Sequence, residues 1–236
     1  MAPQTICKEL LLMDYNTPPP SHYEHVIDKN AIASIKQIAL NMMDHLTGWC
    51  SKEKGGVLFD LVIKKRPDII VEIGVFGGKS VVPMAVGLKA NGKGMLYGID
   101  PWEAEESVIG LQAETNKQWW GKLNHEEILN GLLQKIIQFK LEDQITLIRS
   151  TSENAPVIEN IDILHIDGNH SEEASYFDVI TWLPRVKQGG WIIFDDMTWN
   201  ENGHYTTARA VQWLNTHCIK IAEFSEDCDW GIWVKS

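Results

Sequence analysis

The sequence has few basic residues and no long apolar run. Its 236 residues include 21 Lys and Arg against 32 Asp and Glu, which gives a formal net charge of -11. General nucleic-acid binders and anionic-membrane binders normally present a basic surface, and no apolar run reaches the length needed to span a bilayer. We therefore expect a protein that binds neither nucleic acid nor membrane.

Cysteine is also scarce, and its spacing suggests no pairing. The four cysteines are Cys7, Cys50, Cys218 and Cys228, with no C-x-x-C motif among them. An acidic residue soon follows the first, very short apolar run, which argues against a secretory signal. We expect free thiols in a cytoplasmic protein.

Two common phosphate-binding motifs are missing. The glycine-rich stretch EIGVFGGKS (Glu72–Ser80) has its glycines at Gly74, Gly77 and Gly78, which matches neither the dinucleotide motif G-x-G-x-x-G nor the P-loop. Glycines between a strand and a helix still let the backbone approach a ligand closely, and an acid such as Asp100 at the end of the next strand can accept hydrogen bonds from a ribose diol. This pattern favours an adenosine-type cofactor without a pyrophosphate.

Apolar runs alternate with helical periodicity along most of the chain. The predicted helices cover about 31–46, 56–65, 79–90, 125–141 and 207–215, with a further one beginning at the N-cap Ser171. The predicted strands are 68–75, 94–100, 144–150, 161–167 and 189–196. This alternation is typical of an α/β protein with a doubly wound parallel sheet. Two final runs, 219–224 and 230–236, are too close for a crossover helix, so they should pair as antiparallel strands.

Four of the five predicted parallel strands carry an acidic residue at or near their C-terminal end. They are Glu72, Asp100, Asp167 and Asp195. In open α/β sheets, ligands bind in the crevice outside the carboxyl ends of the strands. A strand end can also turn polar simply because it reaches solvent, but four such acids with a glycine loop predict a binding site along this rim.

Three stretches carry a resemblance to a known family. VEIGVFGGKS, YGIDPW and LHIDGNHSEEASYFDVITWLPRVKQGGWIIFDDM resemble the class I S-adenosylmethionine-dependent methyltransferases, and more narrowly the metal-dependent O-methyltransferases that act on antibiotic sugars and related hydroxylated small molecules. The resemblance covers about residues 68–234 and leaves 103–122 unmatched. It implies a Rossmann-like, seven-stranded, mostly parallel sheet with an antiparallel C-terminal strand. An N-terminal helical arm (1–50) would precede the methyltransferase domain (51–236).

The resemblance also assigns a cofactor site for S-adenosylmethionine. The residues implied at the methionine end are Glu72, Gly74, Gly77 and Ser80, with Asp167 close by. Asp100 falls at the ribose, and Ser152 is expected at the edge of the adenine. Trp102 is a candidate to flank the adenine, although it would equally suit a lid or the core.

A cation is predicted among the acids. Asp195 and Asp196 are neighbours, and Asp167 ends the adjacent strand; three close carboxylates would raise one another's pKa values unless a cation neutralised them. Hard oxygen ligands with open positions suit Mg²⁺, and the family resemblance favours this interpretation. The alternative is that one aspartate caps a helix or pairs with Lys79 or Arg185 and no metal binds.

His170 is the candidate general base. It follows Asp167 by three residues at a helix entrance, and histidine readily exchanges protons near neutral pH; the alternative is that it only orients a ligand. His165 is expected to be a buried strand residue, whereas His204 and Tyr205 either line the substrate pocket or lie on the surface.

The predicted function is transfer of a methyl group to a hydroxyl of a small diol-bearing molecule, such as a sugar or natural product, assisted by Mg²⁺. The alternatives are a metal-independent methyltransferase of the same fold and a non-catalytic S-adenosylmethionine-binding protein. The N-terminal arm suggests a homo-oligomer, a dimer or larger.

Overall fold

The computed structural model describes residues 29–225 and 229–236. Most of the predicted N-terminal arm, together with Cys7 and Cys228, lies outside these residues. The described Cys50 and Cys218 are free thiols, as expected. The division of the chain at residue 50 stays a prediction.

One mixed sheet forms the centre of the molecule. Its strands are β1 (Ile69–Ile73), β2 (Met95–Asp100), β3 (Ile145–Arg149), β4 (Ile161–Ile166), β5 (Val186–Phe194), β8 (Cys218–Phe224) and β9 (Trp230–Lys235). The strand order is β3-β2-β1-β4-β5-β9-β8. Strands β1 to β5 pair in parallel, whereas β9 runs antiparallel to both β5 and β8. The predicted seven-stranded sheet with a reversed last strand is confirmed.

The helices cover both faces of this sheet. They are α1 (Lys29–Met42), α2 (Lys52–Lys65), α3 (Val81–Asn91), α4 (Ala104–Val108), α5 (Glu114–Trp120), α6 (His125–Phe139), α7 (Glu172–Trp182) and α8 (Ala208–His217). Two 3₁₀ turns cover Met43–His45 and Leu183–Arg185, and the short strands β6 (Asn200–Glu201) and β7 (His204–Tyr205) form a hairpin outside the main sheet.

Alternating strand residues build two cores. Ile70 packs on one face of β1 and Val71 on the other, as the two-residue period of a strand requires. Helices α1, α2 and α3 pack together on the first face, and α7 packs on α8 on the second. Both faces of the parallel strands are therefore covered by apolar side chains. The strand ends remain the place where polar side chains can contact a ligand.

Within residues 29–225 and 229–236, no helix combines the length and apolar character needed to cross a bilayer.

Candidate active site

The strand order reverses between β1 and β4, and the two strand ends approach each other there. Gly74 follows β1 with a φ of +85°, and a Cβ at this position would lie 2.0 Å from the carbonyl oxygen of Asp167 after β4. A residue with a side chain cannot take this position without moving the backbone. Such a switch point is where open α/β sheets form their ligand crevice.

A two-lobed cavity opens at this switch point. One lobe, of about 580 Å³, extends along the ends of β2 and β3; we call it the cofactor lobe. The other, of about 370 Å³, extends towards α2 and the end of β5; we call it the acceptor lobe. Both volumes fall in the range of roughly 300–1,000 Å³ typical of small-molecule sites. The two lobes share Gly74, Phe76, Trp120, Asp167, Gly168, His170 and Trp199.

Asp100 lies in the cofactor lobe, as predicted, but its carboxylate is already partly engaged. One oxygen accepts the backbone N–H groups of Val75 and Phe76 at 3.0 and 2.9 Å, and the other accepts that of Trp102 at 2.7 Å. Burial raises the pKa of Asp100 despite these bonds. A carboxylate has about four acceptor positions, so Asp100 has room for about one further hydrogen bond, rather than both bonds of a ribose diol.

Ser152 lines the far end of the cofactor lobe, and its hydroxyl donates to Asp178. Asp178 lies on the buried side of α7 and also lines the lobe. Burial raises its pKa from 3.8 to about 7, against the opposing effect of the Ser152 hydrogen bond. This pair gives the lobe an acid that can donate or accept a hydrogen bond near neutral pH.

Three predicted cofactor residues lie away from the cavity linings formed by the described residues. Trp102 is only 1% exposed, and its indole N–H donates to the Phe76 carbonyl at 2.9 Å; this placement supports the alternative that Trp102 is a core residue. Gly77 packs where a Cβ would lie 2.3 Å from the Thr47 carbonyl oxygen. Glu72 is fully buried beneath the acceptor lobe, where it accepts the Ser80 hydroxyl. Gly77 and Glu72 therefore pack behind the glycine-rich loop and do not line the cavity.

His170 stands where the two lobes meet. Its Nε2 lies 3.1 Å from an Asp196 carboxylate oxygen and 4.0 Å from Asp167. The indole of Trp199 lies against the imidazole, with ring centroids 4.6 Å apart. When Nε2 donates its proton to Asp196, Nδ1 carries the lone pair. In that tautomer Nδ1 is free to accept a proton, and Asp196 fixes the position of the ring through Nε2.

Unlike Asp196, which contacts His170, Asp195 belongs to a buried network of charged side chains. One of its oxygens, Oδ2, accepts the Lys54 ammonium and also lies 2.8 Å from Nε2 of His165. The other ring nitrogen of His165 lies 3.4 Å from Glu72. Lys54, Asp195, His165 and Glu72 are all at most 5% exposed, which makes this the most deeply buried group of charges in the described part of the site.

Three members of the network, Lys54, Asp195 and His165, favour their charged forms. Burial alone would lower the pKa of His165, but Glu72 and Asp195 raise it to about 9. Burial also opposes ionisation of Lys54 and Asp195, but Asp195 raises the pKa of Lys54 and Lys54 lowers the pKa of Asp195. Asp167 stands beside them without a cation of its own, and burial together with the Asp195 charge raises its pKa well above the ordinary value.

The three predicted metal ligands do not converge on one point. Among the described residues, ligand atoms lie within 4.8 Å of one another in two groups, His165–Asp167–Asp195 and Asp167–His170–Asp196. Neither group contains both neighbouring aspartates, because Asp196 adopts a φ of +51° at the end of β5 and its side chain turns to His170. That Asp167, Asp195 and Asp196 share one ion stays a prediction. A lysine does pair with Asp195, although it is Lys54 rather than Lys79 or Arg185.

Aromatic rings form the outer wall of the acceptor lobe. Trp49 stacks on Phe76 with ring centroids 5.2 Å apart, and it contacts Trp119 and Trp120 edge-on at 5.0 and 5.7 Å. All four rings line the lobe, together with Trp199 and Trp230. Trp49 and Trp119 are 56% and 43% exposed, so these two rings stand at the solvent side of the wall.

Three other polar residues take no part in either lobe's chemistry. His204 and Tyr205 are exposed in the outer hairpin, and His204 pairs with Glu172 at 3.0 Å. This placement agrees with the alternative that both residues lie on the surface. Cys50 lines the acceptor lobe, but burial raises the pKa of its thiol to about 12. A thiol that stays protonated is not a nucleophile.

Comparison with known proteins agrees with this architecture. Residues 71–197, more than half of the chain, match the model of a methyltransferase-domain family. The chain belongs to this family. The predicted membership of a methyltransferase family is thereby confirmed.

Relatives of this methyltransferase domain are known from sequence and structure. The uncharacterized protein R132 of Acanthamoeba polyphaga mimivirus is 34% identical over 126 residues, which are 53% of this chain and 50% of that protein. The chain thus spans about half the length of the curated relative that it matches. Solved structures include the O-methyltransferase TomG from Streptomyces achromogenes (16% identity, 90% of this chain and 92% of that one, TM-score 0.57) and the O-methyltransferase from Bacillus cereus (18%, 89% and 93%, TM-score 0.56). At these identities the structures establish the shared fold.

Sequence reasoning missed Lys54. It considered Trp119 and Trp120 as rings that either close over a substrate or pack on the sheet, but it did not bring Trp49 and Phe76 together with them. Lys54 precedes Leu58 and Leu61 by four and seven residues on the buried side of α2, and a lysine in register with an apolar face was the available signal. The tryptophans come from segments that are distant in the chain and carry no periodic pattern, so their convergence has no sequence signal.

Proposed function

We propose that this protein transfers a methyl group from S-adenosylmethionine to a hydroxyl of a small, ring-bearing molecule. The observation that carries the proposal is the pair of adjoining lobes that share seven lining residues, among them Gly74, Asp167 and His170. A cofactor and an acceptor in separate lobes would meet at the one place that has both a base and carboxylates.

The cofactor lobe fits an adenosine-containing cofactor. Asp100 keeps an acceptor position for a ribose hydroxyl, and Ser152 with Asp178 offers both donor and acceptor groups for an adenine edge. When bound, S-adenosylmethionine supplies an activated methyl group, and its sulfur leaves as a neutral thioether. The uncompensated carboxylate of Asp167 at the junction favours a positively charged ligand there.

His170 removes the proton of the acceptor hydroxyl in this proposal. Asp196 holds the ring through Nε2 and Trp199 packs against its face, so the imidazole has a defined orientation. The proton passes to the imidazole as the oxygen forms its bond to the methyl carbon. The aromatic wall would stack against a flat ring and exclude water from this step.

The sequence predicted a methyl transfer assisted by Mg²⁺, with a metal-independent methyltransferase of the same fold as an alternative. The residues present do not fit the three-aspartate magnesium site, because the Lys54 ammonium and His165 already occupy Asp195 Oδ2. The arrangement therefore favours the metal-independent form, and no step of the proposal passes through a metal. The cytoplasmic location and the homo-oligomer stay predictions.

The test is a methyl-transfer assay with a panel of catechols, other phenols and glycosylated acceptors, followed as release of S-adenosylhomocysteine. His170→Ala should lower kcat by roughly 10²–10⁴-fold and leave the affinity for S-adenosylhomocysteine unchanged. His217→Ala, on the exposed end of α8, is the matched control and should behave as wild type. Wild-type turnover by His170→Ala would reject the base, and the absence of turnover with every acceptor would reject the proposed acceptor class.

A further inference from the structure

The buried lysine of the network faces the acceptor lobe. Lys54 lies in the first turn of α2, which begins at the N-cap Ser51, and its side chain lines the lobe next to Asp195 and Asp167. Its ammonium donates to Asp195 and lies 5.5 Å from the centre of the Trp230 ring. A lysine is rarely buried unless it is paired, so the position of this charge is specific.

The ammonium stands where the resemblance led us to expect a metal ion. It contacts the oxygen Asp195 Oδ2, and Nε2 of His165 lies 2.8 Å from the same oxygen. The other oxygen, Oδ1, is buried and has no hydrogen-bond partner among the described residues. An added divalent ion on Oδ1 would stand close to the Lys54 ammonium and be repelled by it.

We propose that the Lys54 ammonium takes the place of a divalent cation beside Asp195, and that this chain transfers methyl groups without binding a divalent metal ion there. The helix α2 thus supplies a fixed positive charge that needs neither uptake nor dehydration of an ion.

This position also gives Lys54 a part in the reaction. A lysine ammonium has three N–H donors, and the described residues accept one of them, at Asp195. The others are available to the acceptor oxygen in the lobe, where they stabilise the negative charge that develops as His170 takes the proton. The catalytic part of this inference rests on the proposed function. The inference that no divalent ion binds beside Asp195 does not.

The experiment is a calorimetric titration of the whole protein with Mn²⁺, which substitutes for Mg²⁺ and can also be followed by electron paramagnetic resonance. The variants are Lys54→Met, Asp195→Asn and the double variant Lys54→Met with Asp195→Asn. Lys52→Met is the matched control, because Lys52 lies in the same turn of α2 but is exposed and pairs with Asp44. Neither an acceptor nor S-adenosylmethionine is needed, and a parallel titration with S-adenosylhomocysteine tests the proposed function separately.

Wild type and Lys52→Met should bind no stoichiometric Mn²⁺. Lys54→Met frees Asp195 beside Asp167 and should bind one Mn²⁺ at least roughly tenfold more tightly than wild type, and the double variant should lose this gain. Stoichiometric Mn²⁺ binding by wild type that Asp195→Asn abolishes would overturn the proposal, and so would a folded Lys54→Met protein with no gain. If Lys54→Met does not fold, wild type and Asp195→Asn decide together: a Mn²⁺ that wild type binds and Asp195→Asn does not overturns the proposal, and equal binding by the two supports it.

Discussion

At the scale of single residues, the identity of the acids at the strand ends was predictable, but the partner of each was not. Asp195 and Asp167 end neighbouring strands as predicted, yet Asp195 is neutralised by Lys54, which is 141 positions away in the chain. A strand pattern shows that a side chain reaches the rim, whereas the charge that it meets there depends on how a distant helix packs.

The Lys54–Asp195 pair predicts a strong coupling in stability. Removing one partner of a buried ion pair leaves the other charge uncompensated and typically costs about 3–5 kcal/mol. Lys54→Met and Asp195→Asn should each lower the free energy of unfolding in urea by about this amount. The double variant should cost clearly less than the sum of the two, because neither charge is then left alone. Additive effects of the two substitutions would show that the pair does not interact.

At the scale of elements, the strands were predicted almost to their ends because apolar β-branched runs bounded by glycine and acids have few alternatives. Helix α2 was predicted to begin at Gly56 but begins at Lys52. The glycine pair at Gly55 and Gly56 lowers helix propensity, but Gly55 packs against Met43, where a Cβ would lie 2.4 Å from the sulfur and displace that side chain. The late predicted start placed Lys54 outside the helix and hid its register with the buried face.

The segment 103–122, which carried no family resemblance, is bonded in the structure to a residue that is distant in the chain. It contains the short helices α4 and α5, and Glu201 of the outer hairpin, fully buried, accepts the backbone N–H groups of Gln112 and Ala113 and the side chain of Asn116. This bonding holds α5 in place, and α5 carries Trp119 and Trp120 of the aromatic wall.

Glu201→Ala should therefore loosen α5 without unfolding the sheet. Two backbone N–H groups would lose their acceptor, and each lost bond to a charged group is worth about 1.5–3 kcal/mol. Amide hydrogen exchange across residues 112–120 should accelerate by roughly tenfold or more, while exchange in β1 and β4 stays unchanged. Glu223→Ala, on the exposed side of β8, is the control. Unchanged exchange in 112–120 would contradict this role of Glu201.

At the scale of the whole molecule, one buried acid makes stability depend on pH in an unusual direction. Burial raises the pKa of Asp178 from 3.8 to about 7, so between about pH 4 and pH 7 the folded protein holds a proton here that the unfolded chain has lost. Stability from this group therefore decreases as the pH rises through that window.

Asp178→Asn should remove this contribution while keeping an acceptor for Ser152. The difference in unfolding free energy between variant and wild type, measured in urea, should shift in the variant's favour by up to about 1.4 kcal/mol per pH unit in the window. A difference that does not change from pH 4 to pH 7 would show that Asp178 ionises normally in the folded protein.

The binding of S-adenosylhomocysteine, measured by calorimetry, tests the central claim most directly: that the cavity at the β1–β4 switch point is a cofactor and acceptor site for methyl transfer. Wild type should bind one molecule per chain, and Asp100→Ala should bind at least roughly tenfold more weakly. Asp68→Ala, on an exposed aspartate just before β1, should bind as wild type does. Absence of binding by the wild-type protein, or equal affinity for wild type and Asp100→Ala, would contradict the account.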